Sequence, residues 1–233
     1  MLVGNKFISL MIPRCATTSF LHTCQINGIE TDDIRTYGYS NLYQPEIGGR
    51  HFHENIQTLQ EKFGYDYPVI GVQRDKISSF ISLWKQTLKM FHEVNEIDLY
   101  NKLIKLSYKD VLFFKENDYN FMIPEDIIDC AMEFCKRNDI EIKAEYLGKF
   151  ILLYRPKEFY HRNNPNIIWF DFNDLTKLED WVSNRLNREF KLVNINTSTN
   201  VECNFKNDES FQELYNSLYG KKYEQFKNKK SLI

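Results

Sequence analysis

The chain has 233 residues, 42% of them hydrophobic and 15% aromatic, which is enough for one large core or for a domain carrying an insertion. A formal charge of −2 and a sequence pI of about 6.2 exclude a global basic field for nucleic acid, so any anion must be met by local clusters. Five cysteines at irregular spacing make no disulfide framework and point to a reducing compartment.

The opening stretch MLVGNKFISLMIP is apolar but too short to span a bilayer, and it lacks a basic leader and a small-residue cleavage site. No other segment approaches transmembrane length. The expectation is a cytoplasmic protein without signal peptide or membrane insertion. Residues 6–13, KFISLMIP, form a near-continuous apolar run, the pattern of a parallel strand covered on both faces. Residues 17–26 then read as a helix with Phe20, Leu21 and Cys24 on one side. IRTYGYS at 34–40 reads as a short strand, and NLYQPEIGGR as a loop built on Pro45, Gly48 and Gly49. A helix from about His53 to Phe63 carries Ile56, Leu59 and Phe63 on its buried stripe. YPVIGVQRD, 67–75, is a second strong strand.

Ile77, Phe80, Ile81, Trp84, Leu88 and Phe91 recur at three- and four-residue steps, which predicts a long helix. From about 96 to 160 the reading is mostly helical and looks like an insertion, with Pro124 at the first turn of PEDIIDCAMEFCKR. Cys130 and Cys135 fit the apolar side of that helix and read as core thiols. NIIWFDF at 166–172 returns to strand, TKLEDWVSNRLNREF to helix, and the tail from 208 to 228 reads as an amphipathic helix. Strands alternating with helices imply a single α/β domain over 1–233. Its expected architecture is a central parallel sheet, helices on both faces, a P-loop-like strand-turn-helix site and a helical insertion at 96–160.

In such sheets ligands bind beyond the carboxyl ends of strands. The first such end, Pro13-Arg14-Cys15-Ala16-Thr17-Thr18-Ser19, offers helix-N-terminal amides, three hydroxyls and a guanidinium, a set suited to phosphate or sulfate. A plain helix cap at Thr17 or Thr18 explains the segment equally well. Walker A spacing is absent, which argues against an ordinary nucleoside triphosphatase. The second end, VIGVQRDKISSFISLW, places Arg74 at the strand terminus, Asp75 as a helix cap, and Ser78 and Ser82 on one helix face. Two anion sites at neighbouring strand ends call for a nucleoside with phosphates at both ends.

Over these two segments the chain resembles the sulfotransferase superfamily, and within it the glycan O-sulfotransferases. The family's 5′ motif, Pro-Lys-x-Gly-Ser/Thr-Ser/Thr, reads here Pro13-Arg14-Cys15-Ala16-Thr17-Thr18. Its 3′ motif, Arg-Asp-Pro-x-x-Arg-x-x-Ser, reads Arg74 to Ser82, with Lys76 at the proline position and Ser79 at the second arginine. The likeness is sharp over residues 7–90. It implies the donor 3′-phosphoadenosine 5′-phosphosulfate (PAPS), the product adenosine 3′,5′-bisphosphate (PAP), and a hydroxyl acceptor on a carbohydrate. It assigns Arg14, Cys15, Ala16, Thr17, Thr18 and Ser19 to the 5′ end, Arg74 and Ser82 to the 3′ phosphate, and no metal.

In several glycan O-sulfotransferases a histidine before a helix is the general base, and the resemblance places it here on His53 of His51-Phe52-His53. His53 lies three residues before Ile56, on the inward side, and a helix N-terminus keeps its imidazole neutral. Arg14 joins it as a catalytic residue by stabilising the leaving phosphate. Glu46 and Glu54 are reserve bases. His51, Arg155 and Arg162, the last two from the cationic patch RPKEFYHR, are weaker candidates for the acceptor. Arg14 and Ala16 depart from the family's Lys and Gly, and Ala16 must avoid a left-handed backbone or carry strain. Two other readings stay open: a catalytically degenerate nucleotide- or glycan-binding protein, and a P-loop nucleotide kinase-like protein.

Overall fold

Gly4 and Asn5 both adopt left-handed backbone, with φ of 52° and 51°. Across them the Lys6 N–H donates to the Val3 carbonyl at 2.9 Å. Two consecutive residues at positive φ give a turn whose twist matches that of paired strands. β1 (Leu2–Val3) therefore folds back antiparallel on β2 (Phe7–Ser9), with Leu2 opposite Ile8 and Val3 opposite Phe7. The structure, a computed structural model, describes residues 1–10, 15–32, 56–112, 124–141, 143, 147, 150, 166–193, 205 and 208–218. The strand expected at 34–40 lies outside them.

β3 (Thr31–Asp32) pairs antiparallel with β1, β4 (Val69–Gln73) pairs parallel with β2, and β5 (Ile167–Asp171) pairs parallel with β4. The order is β3-β1-β2-β4-β5. The fold is α/β, but the expected central parallel sheet is corrected to a mixed one. Among the described strands only β2, β4 and β5 run parallel, because the Gly4-Asn5 turn sends β1 back along β2.

Alternation along the strands divides the core between the two faces of this sheet. Val3, Phe7, Ile70 and Phe170 face one way, against Phe20 and Cys24 of α1 (Thr17–Ile26) and Leu178 and Val182 of α7 (Thr176–Leu186). Leu2, Ile8, Val69 and Ile167 face the other, against Leu59 and Phe63 of α2 (Ile56–Phe63). A polar contact ties α1 to the segment that follows α7 as well. The buried Thr23 hydroxyl donates to the Ser19 carbonyl at 2.7 Å and accepts the Val193 N–H at 2.9 Å.

Gly71 sits opposite Trp169 in the β4–β5 ladder, and the indole lies over it. A Cβ on Gly71 would come within 2.5 Å of the Trp169 ring. Gly71→Ala is therefore expected to cost about 1–3 kcal/mol through overpacking. The urea midpoint reads this directly; an unchanged midpoint would mean that the indole is free to move aside.

Burial pushes the Cys24 thiol up from 9.0 to about 12, opposed by the Arg188 guanidinium. The folded state thus keeps a proton that the unfolded chain loses near pH 9. That stability is complete below pH 9 and is lost as the pH climbs towards 12. Between pH 8 and 10.5 the wild type should lose about 2 kcal/mol more than Cys24→Ala in urea titrations. Parallel losses in the two proteins would refute this.

The described residues fall into two compact units, with 1–32, 56–75 and 166–193 in the first and those from 76 to 150, 205 and 208–218 in the second. In the second, the described chain is helical: α3 (Lys76–Glu93), α4 (Ile97–Leu103), α5 (Tyr108–Val111), α6 (Pro124–Arg137) and residues 209–218. Its core is aromatic. Phe91 stacks on Phe150 at 5.6 Å, Trp84 meets Phe134 edge-on at 6.4 Å, and Phe80 meets Tyr215 at 5.6 Å. Cys130 and Cys135 are buried in α6, and burial pushes the Cys135 thiol up to about 12, the behaviour of inert core thiols. Among the described residues no helix is long and apolar enough to cross a membrane.

Candidate anion site at the carboxyl ends of the parallel strands

Because β2, β4 and β5 run parallel, their carboxyl ends share one edge of the first unit, the edge where open α/β sheets bind ligands. Beyond β2 stands α1, with Ala16 at its N-cap and the Phe20 N–H donating to the Ala16 carbonyl at 2.9 Å. This decides one question left open by the sequence. Neither Thr17 nor Thr18 is the N-cap; they are the first two helical residues. The cap position carries only a methyl group, and the first turn, Thr17-Thr18-Ser19-Phe20, carries no acid. The positive end of this helix is therefore not offset by a carboxylate in its own first turn.

Ala16 has φ of 59° and ψ of 12°, the left-handed conformation that glycine adopts without strain. The strain anticipated at this position is therefore present. Ala16→Gly should relieve about 1–2 kcal/mol in the folded state and give back about 0.4–1 kcal/mol through greater freedom of the unfolded chain. The expected net result is a small gain in stability, where alanine to glycine at an ordinary helix position loses. A fall in the urea midpoint would contradict the left-handed assignment.

Cys15, at the mouth of this turn, is buried, Thr17 is half-buried, Thr18 is exposed, and the Ser19 side chain is buried. At the end of β4, Arg74 is half-buried. Desolvation lowers its pKa from the ordinary arginine value, while the Cys15 sulfur and the Asp75 carboxylate favour its charge. A guanidinium stays protonated through such a shift. The result is a partly desolvated cation at the end of β4. Desolvation strengthens its attraction for an anion, since less water screens the pair.

Beyond β5 stands Phe172, which the sequence did not single out. The Arg74 Cζ lies 4.3 Å from the centre of its ring, within the range of a cation–π contact. The Phe172 N–H donates to the Gln73 carbonyl at 2.8 Å, so the β4–β5 ladder continues to the residue before Arg74. The aromatic-then-turn pattern FDFND was visible in the sequence, but its partner in β4 was not.

The structure thus brings Cys15, Ala16, Thr17, Thr18, Ser19 and Arg74 into one unit at one edge of the sheet. Ser82 is half-buried on α3 and belongs to the second unit. Arg14, Glu46, His51, His53, Glu54, Arg155 and Arg162 lie outside the described residues. The described part of α2, Ile56–Phe63, lies C-terminal to His53. Among the described residues no group of three His, Cys, Asp or Glu side chains is placed to hold a metal ion. No family model, no curated protein and no solved structure matches this chain.

Proposed function

We propose that the chain is a sulfotransferase that moves a sulfuryl group from PAPS to a hydroxyl of an acceptor, a carbohydrate by the resemblance of its motifs. The observation that carries this reading is the half-buried Arg74 at the end of β4, the strand paired parallel with β2, after which α1 starts with no acid in its first turn. Two anion-binding elements at adjacent parallel strands suit a nucleotide with a phosphate on each side of its ribose.

In this reading the amides and hydroxyls of Thr17, Thr18 and Ser19, with Arg14, receive the 5′ phosphosulfate. Arg74 receives the 3′ phosphate; Ser82 enters on the sequence motif alone. The acceptor oxygen forms a bond to sulfur while the bond from sulfur to the 5′ phosphate oxygen breaks. The acceptor's proton passes to His53, and PAP leaves. The leaving phosphate has a last pKa of about 6, so it needs charge more than a proton, which a guanidinium at position 14 supplies. Arginine's broad fork requires a different approach from lysine's point charge.

The experiment is transfer of labelled sulfate from PAPS to a panel of glycans and small alcohols, run beside thermal shifts with PAP and ATP. Label on any acceptor, with a larger shift from PAP than from ATP, supports the reading. A larger shift from ATP would favour a nucleotide kinase-like protein. A PAP shift without transfer across the panel would favour a binding protein that lacks catalysis.

A further inference from the structure

We propose that Phe172 is the positioning residue for Arg74, its ring holding the guanidinium in the pose that meets the 3′ phosphate, an inference that rests on the nucleotide reading above. Phe172 is itself placed by backbone. Its N–H bonds the Gln73 carbonyl at 2.8 Å, one step beyond the last ladder pair, Gln73 with Asp171. The turn that follows is tied down as well. Asp171 accepts the Asn173 N–H on its carboxylate at 2.8 Å and the Asp174 N–H on its carbonyl at 3.1 Å. The ring therefore has a defined place relative to the end of β4.

Arg74 lies against that ring at 4.3 Å. Arginine has the most rotamer freedom to lose when it engages a phosphate, and a face that already restrains it reduces that loss. The ring also supplies electron density to a charge that burial disfavours. It does so through the π face, which consumes none of the guanidinium N–H donors through which arginine grips a phosphate. A carboxylate in the same place would neutralise Arg74 and compete with the ligand. Phenylalanine restrains it without competing.

The test compares affinities for PAP and adenosine 5′-monophosphate, whose ratio isolates the 3′ phosphate. Phe172→Leu should reduce that ratio about two- to fivefold, and Phe172→Tyr, which keeps the ring, should restore it. An equal loss for both nucleotides would overturn the proposal, because a general packing or base-contact role lowers both alike. A second measurement uses the ligand-free protein: urea titrations of Phe172→Leu, Arg74→Ala and the double variant. The proposal expects a coupling of about two- to fivefold in the unfolding equilibrium constant; strict additivity would overturn it. Should Leu fail to fold, Phe172→Met fills a similar volume without a ring and takes its place. A wild type with no preference for PAP sinks the nucleotide reading and the positioning role with it, while the ligand-free cycle still reports whether the ring and guanidinium are paired.

Discussion

His53→Ala is expected to bind PAP as the wild type does and to transfer sulfate about a hundred- to ten-thousand-fold more slowly, the usual worth of a general base. The two readouts separate because the proton is taken from the acceptor, not from the nucleotide. His51→Ala should lose less, since in the sequence only His53 lies three residues before Ile56, the spacing of a helical stripe. Wild-type turnover should also fall at acid pH, where the ring takes up a proton and can no longer accept one. The His53→Ala variant should show a flatter acid limb. If it folds, binds PAP and turns over normally, the base is elsewhere, and Glu54 and Glu46 are the next residues to change.

Arg74→Ala should weaken PAP by about ten- to a hundredfold, the range for losing a hydrogen-bonded charge pair, while changing adenosine 5′-monophosphate little. Calorimetric titration of both nucleotides against both proteins gives the four affinities needed. The effect should exceed that of removing an exposed cation, because Arg74 is half-buried and its attraction is less screened. The ligand-free variant also loses a desolvated charge, so its own stability should change far less than its affinity. Equal binding of the two nucleotides by the wild type would remove the 3′ site altogether.

Much of the helical part of the fold was legible because its signal is local. The helix read at 17–26 is α1, and the stripe from Ile77 to Phe91 lies within α3. The first strand was harder. The sequence shows a strand at 6–13, but Leu2 and Val3 are too short a pair to register as a strand of their own, and only the Gly4-Asn5 pair betrays the hairpin that makes the sheet mixed. β3 has two half-buried residues, too few for any periodicity to register. At the site, Arg74 stood out by its place at a strand end. Phe172 did not, because its contact with Arg74 depends on the β4–β5 register, which joins segments nearly a hundred positions apart. Ala16 lay between the two cases: the sequence posed the choice between strain and a different backbone, and the structure takes the strain.

The placement of α3 to α6 between β4 and β5 in the chain has a consequence for how the protein is made. β4 leaves the ribosome with one side of its backbone matched to β2 and the other side awaiting β5. At ordinary synthesis rates the chain from Gln73 to Ile167 takes about 5–20 s to appear. Throughout that interval the nascent sheet has an open parallel edge, and Gly71 stands there without the indole that later covers it. The arrival of Ile167–Asp171 closes that edge of β4, and among the described strands the open edge passes to β5.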